Sequence, residues 1–143
     1  MMTMSRSVGM QLSFALYGAA NRMARMHKPF LEPLGLTFPQ YLVILELLNG
    51  SPLSVGTLGT SLDMDTGTIT PLVKRLETAG FVTRTRDPND ERRVLVNLTP
   101  RAENIREEIL GVTKKIKSAC KLDEAGLILL RETLQDLCRP RND

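Results

Sequence analysis

Apolar residues recur at three- and four-residue steps near the start of the chain. Leu12, Leu16, Ala19, Met23, Met26, Phe30 and Leu34 fall on one stripe. The period predicts a helix from about Ser7 to Leu34, kinked or ended at Pro29, whose ring removes a backbone donor. That helix is long for a small domain, so its stripe is expected to meet another chain as well as its own core. Thr37-Phe38-Pro39-Gln40 has capping-box spacing, with Thr37 as N-cap and Gln40 three residues on. Tyr41, Ile44, Leu45 and Leu48 continue as a helical face until Asn49-Gly50-Ser51-Pro52 stops it. Ser54 then caps a short helix, Val55 to Leu62, that buries Val55, Leu58 and Leu62. After Asp63-Met64-Asp65 a further helix, about Thr66 to Thr78, turns Ile69, Leu72, Val73 and Leu76 inward and ends at Gly80.

Beyond Gly80 the period changes from 3.6 to 2. Phe81 to Arg86 reads as a strand, Asp87-Pro88-Asn89-Asp90 as a turn, and Arg93 to Thr99 as a returning strand. Thr99-Pro100 opens a helix with the stripe Ile105, Ile109, Val112 and Ile116. A break near Lys121 to Asp123 precedes a last helix carrying Leu127, Leu130, Leu134 and Leu137. The expected fold is mainly α with a small β-hairpin: a long helix, three helices, the hairpin, two helices.

The 143 residues suit one ordinary domain or two very small ones, and a hydrophobic share of 42% is enough to bury a core. No apolar run reaches the length of a membrane span, about 18 residues, and Met1 to Gly9 lacks the apolar stretch of a signal peptide. No membrane association and a cytoplasmic location are expected. Two cysteines, Cys120 and Cys138, are too few for a disulfide scaffold, and one histidine, His27, cannot build the usual zinc sites. No metal, cofactor or catalytic group is expected. The net charge of +3 permits nucleic-acid binding without requiring it. The charge is uneven, however. Residues 41–73 hold three acids and no Lys or Arg, whereas Lys74 to Arg101 sets seven bases against four acids. This is either a solvated mixed-charge surface or a basic patch, depending on whether folding gathers Lys74, Arg75, Arg84, Arg86, Arg92 and Arg93 on one side.

A short helix, a tight turn, a second helix and a basic hairpin make a winged helix-turn-helix. The outward face of the second helix carries Gly67, Thr70, Pro71, Lys74 and Arg75, flanked by Thr66 and Thr68. Small residues let the helix end approach base edges in a major groove, and the cations further along neutralise phosphates. Asp90-Glu91-Arg92-Arg93 puts arginine on the hairpin tip, where it can enter a narrow A·T-rich minor groove, with Asp90 holding it extended. The candidate DNA-facing set is Ser54, Asp65, Thr66, Thr68, Thr70, Lys74, Arg75, Arg84, Arg86, Asp90, Arg92 and Arg93.

The stretch Asp65 to Glu77, then Gly80 to Arg84, then Asp90 to Thr99, resembles the MarR family of bacterial transcriptional regulators. Gln11 to Tyr17, Lys28-Pro29 and Thr37 to Leu42 resemble its organic-hydroperoxide-responsive OhrR branch. The resemblance covers about residues 8 to 138. It implies a homodimer in which the terminal helices, residues 1–36 and 100–143, intertwine. Residues 37–99 then form the winged lobe that reads a pseudo-palindromic double-stranded DNA operator, most simply as a repressor. It also marks a departure. Where that branch has a reactive cysteine this chain has Ser13, and the tyrosines that bond the thiol match Tyr17, His27 and Phe38. Only Tyr17 keeps its phenol. Ser13 is either a natural divergence or an engineered replacement.

Ser13, Tyr17, His27, Phe38 and Tyr41 could instead line a pocket for a small aromatic or anionic effector, with His27 supplying positive charge. The plainer alternative makes them core aromatics and a structural histidine. Cys120 lies near where some family members carry a resolving cysteine, and is either that redox candidate or a small partly buried residue. Two rival functions remain at this level: a thiol-based peroxide-handling protein using Cys120, and a dimeric adaptor that does not touch DNA.

Serine cannot form a sulfenic acid. Organic hydroperoxide is therefore expected to leave DNA affinity unchanged in a gel-shift assay, and peroxide-induced release would overturn that expectation. If Ser13 is an engineered replacement, Ser13→Cys restores release.

Overall fold

The computed structural model describes residues 7–139. Residues 1–6 of the stretch read for a signal peptide, Met1 to Gly9, and the outer ends of the segments 1–36 and 100–143 lie outside the described residues. The chain divides into two compact units, residues 1–112 and 113–143.

Helix α1, Val8–Leu31, starts at Ser7, whose hydroxyl accepts the Met10 amide at 3.2 Å. Pro29 lies in its last turn without ending it, and a 3-10 turn, Glu32–Leu34, carries the chain to Gly35 in the left-handed region (φ 74°). Helix α2, Phe38–Asn49, has the complete capping box. The Thr37 amide donates to Gln40 Oε1 at 3.0 Å, and Thr37 Oγ1 accepts the Gln40 amide at 3.3 Å. Its buried residues are Tyr41, Val43, Ile44 and Leu47, whereas Leu45 and Leu48 are half-buried. The periodicity placed the centre of that face one residue off because α2 is covered from several sides, packing on α1 and on the elements that follow it.

Strand β1 is only Leu53–Ser54, and α3 runs Val55–Ser61. Leu58 and Gly59 are its buried residues, while Val55 and Leu62 are half-buried. The connection to α4, Thr66–Thr78, is tight. The Met64 amide donates to the Gly59 carbonyl at 2.8 Å, and Asp63 takes a left-handed φ of 54°. A Cβ on Gly59 would stand 2.8 Å from the Met64 oxygen and 3.2 Å from Ile69 Cγ2. Only glycine lets the two helices approach this closely. Helix α4 buries Ile69, Leu72, Val73 and Leu76, as the stripe predicts. Gly80 (φ 86°) ends it as a Schellman motif, with its own amide on the Glu77 carbonyl and the Phe81 amide on that of Leu76, both at 3.0 Å.

The hairpin pairs β2, Val82–Asp87, with β3, Asp90–Leu98, in antiparallel register from Val82↔Leu98 to Arg86↔Val94. A bulge at Arg86/Asp87 leads into the two-residue loop Pro88-Asn89. The hairpin is therefore longer than its alternation suggests, since β3 begins at Asp90 rather than Arg93. β1 adds to the other side of β3, giving the order β1-β3-β2. Two residues carry no detectable period, so this third strand is invisible in the sequence.

Thr99 caps α5, Pro100–Asn104, with Pro100 in the first turn. The single helix expected here is interrupted at Ile105 (φ −106°, ψ 15°) before α6, Arg106–Ala119. Ile109, Val112 and Ile116 are buried. Helix α7, Glu124–Leu137, is capped by Asp123 and buries none of its residues. Leu129, Leu130, Leu134 and Leu137 stay exposed, as do Val8, Met10, Leu12, Phe14 and Tyr17 on α1.

Gly59→Ala is expected to destabilise the protein by about 1–3 kcal/mol in denaturant unfolding, because its neighbour is backbone and cannot yield. Gly56→Ala, with nothing closer than 4.0 Å to the new methyl, should be neutral or slightly stabilising.

Candidate nucleic-acid interface

Burial of one stripe of α4 fixes what its other side presents. Asp65 Oδ1 accepts the Thr68 amide at 2.9 Å and so holds the first turn. Thr66, Gly67, Thr68, Pro71, Lys74 and Arg75 are exposed, and Thr70 is half-buried. Pro71 has no amide hydrogen to give to the Gly67 carbonyl one turn back. Among the described residues no acid lies within ion-pair distance of Lys74 or Arg75. The face runs from small to cationic along the helix.

The hairpin tip is ordered by its acids. Asp87 accepts the Asn89 amide at 2.9 Å, and its other oxygen lies 3.8 Å from Arg93 Nη1. Asp90 Oδ1 accepts the Arg92 amide at 3.1 Å and Arg92 Nε at 3.4 Å. That bond steers Arg92 outward, and its side chain is 94% exposed. Arg86 Nη1 donates to the Glu91 carbonyl at 2.7 Å.

Two residues of the expected DNA-facing set make their hydrogen bonds within the lobe. Ser54 is only 8% exposed. Its hydroxyl accepts the Thr57 amide at 3.0 Å and donates to Thr57 Oγ1 at 2.8 Å, so it caps α3. Arg84 directs Nε and Nη2 onto Glu77 Oε1 at 3.1 and 3.0 Å. That guanidinium holds the Glu77 carboxyl below the usual carboxylate range. Sequence reasoning missed Glu77 and Arg101 as positioning groups. Arg101 donates to the Ala79 carbonyl and lies 4.5 Å over the Phe81 ring, while Thr99 Oγ1 donates to the Gly80 carbonyl at 2.6 Å. Neither pairing follows a helical or strand period, so no pattern signals it.

A MarR family model matches residues 36–94. The organic hydroperoxide resistance transcriptional regulator of Bacillus subtilis (strain 168) is 39% identical over 131 residues, covering 87% of this chain and 89% of that one. The chain belongs to the MarR family. MgrA, an HTH-type transcriptional regulator of Staphylococcus aureus, is 37% identical and covers 80% of this chain and 78% of its own. The structure of reduced AbfR bound to DNA superposes with a TM-score of 0.74 at 32% identity, over 89% and 91% of the two chains. AbfR comes from Staphylococcus epidermidis. These relatives are transcriptional regulators rather than enzymes, and the OhrR-like assignment agrees with them. They support neither the peroxide-handling nor the adaptor reading.

The set matched to the branch's sensing site divides in two within this MarR chain. His27 is buried against Phe38 and Tyr41, at ring-centroid distances of 4.4 and 5.3 Å, and its Nδ1 donates to the Met23 carbonyl at 2.7 Å. Ser13 and Tyr17 lie toward the other end of α1. At 1.5 Å per residue Ser13 is about 21 Å along the helix axis from His27. The Ser13 hydroxyl donates to the Gly9 carbonyl at 3.1 Å, and Tyr17 is 73% exposed. One chain therefore does not bring the five residues together. Cys120, half-buried, lines a hollow of about 460 Å³ with Lys114, Lys117, Leu122 and Leu127. Cys138 is exposed.

The depressed Glu77 pKa has a defined pH signature. Stability from the pair is fully present above the unfolded carboxylate value and is lost as pH falls through the lower folded value. Glu77→Gln should therefore lower the urea midpoint near neutral pH, and the gap from the parent should close as the buffer is taken below the ordinary carboxylate range.

Proposed function

We propose that this MarR-family regulator is a homodimeric repressor. It reads a pseudo-palindromic operator with α4 in the major groove and Arg92 in the adjoining minor groove. The observation that carries this is the wing tip, where an almost fully exposed arginine is braced by Asp90 on a hairpin whose stem is bonded to α4. The DNA complex of AbfR supports the same use of the fold. Residues 1–36 and 100–143 supply the dimer contacts in this reading, and residues 37–99 the DNA-binding lobe. The apolar rows left exposed on α1 and on α7 favour that division. Two such lobes address half-sites about 34 Å apart. No catalytic step and no cofactor enters this role. The family's work on DNA, together with the lack of any single membrane-length apolar helix among the described residues, favours the cytoplasm.

Release follows from a small aromatic or anionic effector that binds one lobe spacing better than the other. Ser13 and Tyr17 meet His27, Phe38 and Tyr41 only if the first half of α1 is contributed by the second copy. The pocket is thus a property of the dimer.

Arg92→Ala should weaken binding to a duplex selected by the parent protein by about 1–3 kcal/mol in fluorescence anisotropy, without changing the circular dichroism spectrum. Preference for A·T pairs at the wing position should fade with it. Unchanged affinity would remove the wing from the mechanism.

A further inference from the structure

We propose that Arg84 is a positioning residue: clamped by Glu77, it aims the wing with respect to the recognition helix α4 and does not itself contact DNA. This rests on the DNA-reading role proposed above. The charge distribution alone counts Arg84 among the phosphate-binding cations. Its geometry argues otherwise. Both Nε and Nη2 converge on one oxygen, Glu77 Oε1, and the side chain is only 29% exposed. Glu77 lies in the last turn of α4, and Arg84 is the third residue of β2, paired with the fully buried Val96 of β3. The contact therefore joins the end of one reading element to the stem of the other. Among the described residues it is the one ion pair between α4 and the hairpin. The neighbouring braces, Arg101 on Ala79 and Thr99 on Gly80, fasten the end of α4 to α5 and leave the hairpin beyond Val82 untouched. A carboxylate beside a phosphate-binding surface opposes binding on charge alone, so Glu77 must act through what it holds.

The test is a double-mutant cycle read by fluorescence anisotropy on a duplex selected by the parent protein from a random library. Glu77→Gln should weaken binding about tenfold in the parent and less than twofold in an Arg92→Ala background, because only the wing's contribution is lost. Arg84→Lys, which keeps the charge but not the two-nitrogen fork, should show the same selectivity. Removing an acid would by charge alone tighten binding, so tighter binding overturns the proposal, as does an equal loss in both backgrounds. A phosphate-contact role for Arg84 predicts that the salt-dependence slope falls by about one in Arg84→Ala whether or not Arg92 is present; that result also overturns it. If Arg92→Ala leaves affinity untouched while the protein still binds the duplex, the wing reading itself fails, and this inference fails with it.

Discussion

Rotation of α4 about its own axis is the constraint on which the remaining structure depends. A helix can hide one stripe, and here the stripe is Ile69, Leu72, Val73 and Leu76. Once those four are buried, Thr66, Gly67, Thr68, Pro71, Lys74 and Arg75 have nowhere to go but outward. The close approach of α3 sets the position of that helix in the lobe, and it depends on the missing Cβ at Gly59. Packing energy and the exposed small-to-cationic face are thus two sides of one helix. A change that slips the first displaces the second.

The other end of α4 is held by backbone and by charge. The Schellman turn at Gly80 closes two carbonyls, Arg101 takes a third, and Arg84 takes the Glu77 carboxylate. Partly exposed ion pairs add little stability because water screens them. Their geometric information is larger, since a two-nitrogen fork on one oxygen restricts both distance and orientation. At the wing tip a carboxylate does the same for Arg92, whose long side chain would otherwise lose rotamer freedom on binding. Acids in this region sit against bases: Glu77 on Arg84, Asp87 near Arg93 and Asp90 on Arg92.

Much of this was legible from the residues because it rests on local rules. Caps at Thr37, Ser54 and Thr99 are read from the sequence, and each side chain accepts an amide of the first turn it caps; the cap at Asp65 lay in a stretch with no pattern to signal it. The period shift after Gly80 gives the hairpin. What escaped detection is non-local or too short to have a period. Strand β1 has two residues, the break at Ile105 interrupts an intact stripe, and the buried face of α2 depends on neighbours that a single helix does not specify. The site shows the same division. Exposed cations on α4 follow from periodicity, but a count of charges cannot tell Arg92, projecting into solvent, from Arg84, bent onto Glu77. Ser54 carried both a capping and a DNA-facing assignment; its one hydroxyl proton goes to Thr57 and the side chain is buried, so the capping role is the one the fold displays.

The sensing region follows from the length of α1. A rigid helix keeps Ser13 and His27 apart by their axial separation, so no side-chain rearrangement within one copy can join them. His27 is fastened to the lobe through Phe38 and Tyr41, while the stretch around Ser13 and Tyr17 is exposed. The two ends of the helix therefore answer to different partners: the C-terminal end to its own lobe, and the N-terminal end to whatever covers it. In the proposed mechanism, an effector that changed how the N-terminal end is covered would act on lobe spacing through a stiff lever. It needs no thiol to do so, only unequal affinity for two arrangements of the dimer. Serine at position 13 offers no thiol for this purpose and leaves the lever intact.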